Sequence, residues 1–231
     1  MYDDDDPGAA ARTAQDSVPR PHAQELPAAF VDWQVAERRA IFAALERGEL
    51  PRSFAAHLPV VSTLDPGPFP IHSATKGAGL TPKDADLPQL VGAIEDCLAS
   101  SAALPWPETL ARRIEVARLL YDHPEHIDRR RFGLIEIFRG QTYRNILRDP
   151  RVTLLFTGPG PQYLSYQVHG VAEVVGLDDA RFRFILGMRH LFERDRFHIQ
   201  QPDYAVGYLL WVHEVIEKTP RQLPARAALE G

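Results

Sequence analysis

Residues 131–175 constrain this chain most, because they read as strand, short helix, strand, turn and long strand with almost no slack between them. Leu134, Ile135, Ile137 and Phe138 form an apolar run interrupted by Glu136, and Arg139-Gly140 then turns the chain into a polar helical segment that stops at Asp149-Pro150. Proline has no N–H to continue a helix and pushes the residue before it out of the helical region. Val152, Leu154, Leu155 and Phe156 follow as an apolar strand, Gly158-Pro159-Gly160-Pro161 as a turn, and residues 163–175 as an interrupted alternation of large apolar and polar side chains. This is a hairpin pattern.

The rest of the chain is organised around that unit. Residues 1–27 are rich in Asp, Ala, Pro and Gln and poor in large apolar groups, so a disordered acidic tail is expected there. Phe30, Trp33, Val35, Ile41, Phe42 and Leu45 recur at helical spacing and predict one amphipathic helix that ends at Gly48 and Pro51. Two short strands are predicted at 58–64 and 70–74, joined by Asp65-Pro66-Gly67-Pro68. Residues 87–101 and 107–121 both carry helical periodicity, so a helical insertion over about 83–125 is expected to separate the second strand from the third. A helix from Ala180 to about Arg194 has Asp178 as its expected N-cap. A last strand over 204–216 places Tyr208, Leu210, Val212 and Glu214 on one face, with Leu209, Trp211, His213 and Val215 on the other. The domain is expected to span 28–220, with a C-terminal tail over 221–231.

Bulk properties exclude several function classes. The formal charge is −5, but Asp3 to Asp6 supply four of those negatives, so neither a nucleic-acid-binding surface nor one for anionic membranes is expected. A single cysteine, Cys97, rules out an intrachain disulfide framework and any multi-cysteine metal site, and its apolar helical neighbours mark it as a buried thiol. With no long apolar span, a cytoplasmic location is expected. Neither a G-x-S-x-G elbow nor a G-x-G-x-x-G dinucleotide fingerprint is present. His123-Pro124-Glu125-His126 contains zinc or iron ligand types, but the proline breaks α-helical spacing and no third ligand motif follows, so no metal is expected. The arginines at 181, 183, 189, 194 and 196, interleaved with phenylalanines, are offset by nearby acids; core packing explains the phenylalanines more simply than a single-stranded nucleic acid does.

The segment Thr142, Tyr143, Arg144, Asn145, Ile146, Asp149, Pro150, Arg151 and Val152, with Gly170, Ala172, Glu173 and Val174 in the return strand, resembles the FMN-binding split β-barrel of the pyridoxamine 5'-phosphate oxidase-like superfamily. The resemblance covers fewer than half of the residues and rests on an N-(I/L)-x-x-(N/D)-P-R-V ending. It implies an α+β, mainly β fold: a six-stranded antiparallel split β-barrel with flanking helices, forming a homodimer. It further implies an FMN-dependent oxidoreductase acting on a small-molecule substrate.

By the same resemblance, Arg139, Gly140, Gln141, Thr142 and Arg144 fall where the family's turn and helix meet the FMN phosphate. A helix start suits an anion because its free amides and macrodipole both favour negative charge. The family often carries Ser-Arg-Lys where this chain has Gln141-Thr142-Tyr143, and the alternative is that Thr142 caps a surface helix while Arg144 and Arg148 are solvated. His72, Ser73 and Thr75 are the expected flavin-ring contacts, with Lys76 as a second anion contact. Tyr143, His190 and His198, together with Arg139, are candidates for the substrate side; no catalytic acid or base is assigned. Two alternatives stay open: the same barrel with deazaflavin F420 or haem, and a cofactor-free binding or interaction protein.

Overall fold

The computed structural model describes residues 23–51, 53–158, 163–193 and 204–220. The expected tails before residue 23 and after 220, and the tip of the 158–161 turn, lie outside them.

Seven strands form one antiparallel sheet: β1 (Val60–Leu64), β2 (Ile71–Thr75), β3 (Ala78–Pro82), β4 (Ile127–Ile135), β5 (Arg151–Gly158), β6 (Leu164–Gly176) and β7 (Val206–Glu217). Their order is β2-β1-β5-β6-β7-β4-β3. Among the described residues five α-helices accompany them: α1 (Ala28–Glu46), α2 (Leu87–Ser101), α3 (Trp106–Tyr121), α4 (Gln141–Arg148) and α5 (Ala180–Phe192).

Among the described residues the strand count of seven corrects the expected six, and the barrel is not closed by hydrogen bonds. The additional strand is β3, which pairs with β4 immediately after β2 has paired with β1. Its sequence, Ala-Gly-Leu-Thr-Pro, has little strand propensity, and a proline is tolerated in a sheet only at an edge. β3 is such an edge. Lys76-Gly77 is where one extended segment changes partner, so the two sheet edges are joined by covalent chain. His57 staples that break: its carbonyl accepts from Ala78 N at 2.8 Å, and its ring lies where a side chain on Gly77 would point. The two inserted helices, α2 and α3, therefore follow the third strand rather than the second.

α1 plugs one end of the sheet with Phe30, which is fully buried and meets Phe132, Phe156 and Tyr166 edge-to-face at 5.9, 5.3 and 4.9 Å. Ahead of this helix, Gln24 N and Leu26 N donate to the carbonyls of Val212 and Arg129, so residues at the end of the expected tail lie on the sheet. α2 packs against α5 at Gly187, where a Cβ would come within 2.6 Å of Ile94 Cγ2. Cys97 is buried on α2. α5 is capped by Asp179, one residue later than expected, whose carboxylate accepts from Arg181 N at 2.8 Å. Phe182 and Phe184 of this helix are buried, while Arg181 pairs with Glu173 and Asp179, and Arg183 with Glu95. On β7, Tyr208, Leu210 and Val212 face the main core; Leu209 is equally buried, against Phe182 and Ile135 beneath α5.

Candidate functional site

Strand alternation splits the expected site residues of β2 between its two faces. The side facing α4 carries a continuous polar cluster. α4 begins after Arg139, which holds a left-handed φ of 47°, and Gly140. Asn145, fully buried, donates from Nδ2 to Thr63 Oγ1 at 3.1 Å and to Asp65 Oδ2 at 3.4 Å. Gln141 Nε2 donates to Asp65 Oδ2 at 3.0 Å and to Asn145 Oδ1 at 2.8 Å, and its Oε1 accepts from Arg144 Nη2 at 2.7 Å. The Gly67 amide, donating to Asp65, holds that carboxyl below the ordinary aspartate range, helped by Asn145, Gln141 and the charge of His72. His72, opposite Thr63 on the paired strands, belongs to this side.

Beneath α4, Thr142 and Lys76 border a cavity of about 10 Å³ together with Tyr208, Ile146 and Leu134. That space suits about one water molecule. Lys76 is engaged there, with Nζ 2.8 Å from the Glu136 carboxylate, which also accepts from Tyr208 Oη at 2.7 Å and Phe138 N at 3.1 Å. Burial works to raise the Glu136 pKa, but the Lys76 ion pair and these two hydrogen bonds outweigh it and hold the group below its ordinary value. Burial, then the adjacent Glu136 charge, pushes Tyr208 far up, so its hydroxyl stays protonated and donating.

The opposite, outward face carries a groove of about 470 Å³, lined among others by Ser62, Leu64, Ile71, Arg151, Thr153 and His169, with His213 at its β7 wall. Ser73, opposite Ser62 on the paired strands, exchanges a hydroxyl hydrogen bond with it at 2.9 Å. Thr75 is likewise outward, opposite Val60. Gln167 Nε2 donates to His169 Nε2 at 2.8 Å, so His169 Nδ1–H donates to Thr153 Oγ1 at 2.9 Å. The Thr153 hydroxyl hydrogen can therefore turn into the groove. A register shift at His169/Gly170 pairs His169 with Glu214 and Gly170 with Val212, which leaves His213 as the extra residue of a bulge. Only glycine fits at position 170, since a Cβ would come 2.5 Å from the Trp211 carbonyl oxygen.

Of the substrate-side candidates, Tyr143 is half-buried beside the main core and His190 lies on α5 near Tyr204. Burial pushes the His190 pKa down, against the charge of Glu193. Neither residue lines the groove. His198 lies outside the described residues. The sequence reading passed over Ser62, Thr153, His169 and His213. Their signal is a polar residue at an outward strand position, beside inward positions that are apolar except for Thr63 on β1.

Several solved structures resemble this one. An FMN-binding protein from Syntrophomonas wolfei superposes with a TM-score of 0.42 at 7% identity over 83% of this chain and 90% of that one. A protein from Lactobacillus delbrueckii, described as a candidate pyridoxamine 5'-phosphate oxidase, gives 0.41 at 17% identity over 83% and 93%. An F420 reductase gives 0.39 at 13% identity over 69% and 89%. No protein-family model matches the sequence, and no curated protein does. At these identities the likeness concerns the path of the backbone and transfers no residue and no ligand.

Whether a flavin-sized group fits is decided by space. Ligand sites for such groups span roughly 300–1,000 Å³. The cavity beneath α4 is far too small, whereas the outer groove lies within that range and combines apolar walls with donors and a guanidinium.

Proposed function

We propose that the chain is a cofactor-dependent oxidoreductase acting on a small-molecule substrate, with FMN in the outer groove and a second copy of the chain covering it. The observation that carries this reading is the groove itself. Leu64, Ile71 and Val171 offer apolar surface to a planar ring, and Ser62, Thr153 and His169 offer hydrogen-bonding groups along its edge. Arg151 supplies the one guanidinium among the lining residues and is the proposed phosphate contact. It shares its charge with Asp149. The start of α4 competes poorly for that role, because Gln141 and Arg144 are tied to each other and the Asp65 carboxylate sits beside them. A bound flavin supplies the hydride chemistry; the protein's own work is to hold the ring, anchor the phosphate and exclude water. The expected second copy is supported by the apolar side chains that the β1–β2 hairpin leaves in solvent, Phe69 at 81% and Ile71 at 63% exposure. Patches of this kind mark interaction sites.

The test is a visible spectrum of the freshly purified protein followed by FMN titration, with free flavin measured by filtration and mass by light scattering. Ile71→Asp is expected to weaken FMN at least tenfold, and Arg151→Ala to weaken it more than the pair Thr142→Ala and Arg144→Ala. The opposite ranking moves the phosphate to α4. A dimer that takes up no flavin and no F420 refutes the flavin assignment and favours a colourless interaction protein.

One observation favours haem as a second reading: the exposed His213 imidazole faces the groove and makes no hydrogen bond to a described residue. An imidazole is a haem iron ligand. A Soret shift with hemin that disappears in His213→Ala would support it.

A further inference from the structure

The proline in His123-Pro124-Glu125-His126 does not separate the two histidines. It opens a 3₁₀ turn, Pro124–His126, between α3 and β4. Side chains three residues apart eclipse in that geometry, with three residues per turn, so the turn brings both histidines to one side although the proline breaks α-helical spacing. The two rings accordingly lie 5.7 Å apart, centroid to centroid. His123 Nδ1 is 3.2 Å from Glu125 Oε1, and donor atoms from His123, Glu125 and His126 all fall within 4.8 Å of one another.

We propose that His123, Glu125 and His126 form a divalent-cation site of the zinc class, unrelated to the groove. Two imidazoles and one carboxylate are the donor set of zinc sites that keep one position for water. In such a site adjacent donors stand roughly 3.3–3.5 Å apart, so the widest separation in the group must contract by up to about 1.5 Å around an ion. The side chains can do so. They are 53%, 65% and 36% exposed, respectively for His123, Glu125 and His126, and no core contact has to move.

Asp86 supplies the outer support. Its Oδ2 lies 3.1 Å from His126 Nδ1, which sets that nitrogen as the protonated one and leaves the Nε2 lone pair for a cation. Because Asp86 immediately precedes α2 while His123 lies two residues past the end of α3, a bound ion would fasten the entry of the helical insertion to its exit. Lys83 N already donates to the His126 carbonyl at 2.7 Å across the same junction.

The test uses Co²⁺ and Zn²⁺ with the full-length, tag-free chain. One Co²⁺ per chain with the intense visible bands of a low-coordinate N/O site, displaced by Zn²⁺, is expected. His123→Ala with His126→Ala should abolish it, and Asp86→Asn should weaken it by about tenfold or more, the usual effect of losing a carboxylate that orients a ligand histidine. The control His169→Ala with His213→Ala should leave it unchanged. Since all the replaced side chains are outside the hydrophobic core, thermal unfolding of each variant without metal is expected to match the parent. No Co²⁺ band, a band that survives the His123/His126 pair, or one lost with the His169/His213 pair overturns the proposal.

Discussion

Lys76→Met removes the cation from a carboxylate that has little contact with water. Glu136 is 3% exposed and Lys76 Nζ stands 2.8 Å from it; Tyr208 Oη and Phe138 N would remain as donors. Stripping one partner from a buried ion pair costs about 3–5 kcal/mol. The Lys76 side chain keeps 15% of its surface in solvent and two hydrogen bonds persist, which places the expected loss near the lower figure, roughly 3 kcal/mol. For a chain of this size that corresponds to a fall in Tm of about 6–12 °C.

The pH dependence separates this cause from a simple loss of packing. In the parent protein the Glu136 pKa is depressed below its ordinary value of 4.5. Its contribution is therefore present above that value and is lost as pH falls through the folded-state pKa. In Lys76→Met the leading influence is burial, which raises the pKa, so the variant's Glu136 can take up a proton and become neutral well before the parent's. The gap between parent and variant should narrow between pH 7 and pH 5. Urea unfolding at the two pH values measures it, and Lys76→Met with Glu136→Gln should recover part of the loss at pH 7. A gap below about 1 kcal/mol, or one that is the same at both pH values, would refute the reasoning.

Three further outcomes are expected in the same assay. Phe30→Ala empties the aromatic cluster at the end of the sheet and should cost about 3–5 kcal/mol. Gly187→Ala should destabilise by about 1–3 kcal/mol from the 2.6 Å approach to Ile94, even after the gain of about 1 kcal/mol in helix propensity. Asp179→Ala should cost about 0.5–2 kcal/mol through loss of the α5 cap, whereas Asp178→Ala should be close to neutral.

Where structure depends on neighbours in sequence, it was legible. The β5–β6 hairpin, α4 with its stop at Asp149-Pro150, the two inserted helices and the last strand follow from periodicity and from proline, which act within a few residues. β3 was hidden because its alanine, glycine and proline have no strand preference of their own. It exists because β4 offers an unpaired edge 50 residues further along, with Leu80 opposite Phe132 at 1–2% exposure.

The candidate site divided in the same way. Alternation along a strand separates His72 and Lys76 from Ser73 and Thr75, but sequence does not say which face meets α4 and which meets solvent. Only the sheet order decided that, by setting β5 beside β1 and β6 beyond β5, and so bringing Thr153, His169 and Arg151 to the groove. Lys76 has the chemistry of an anion contact in sequence, and tertiary packing gave that charge to Glu136, 60 residues away. The sequence by itself determined the local elements and the kinds of chemistry available to them; the pairing of distant strands determined which of those groups can meet, because strand partners and cavity walls are chosen by burial of the whole core.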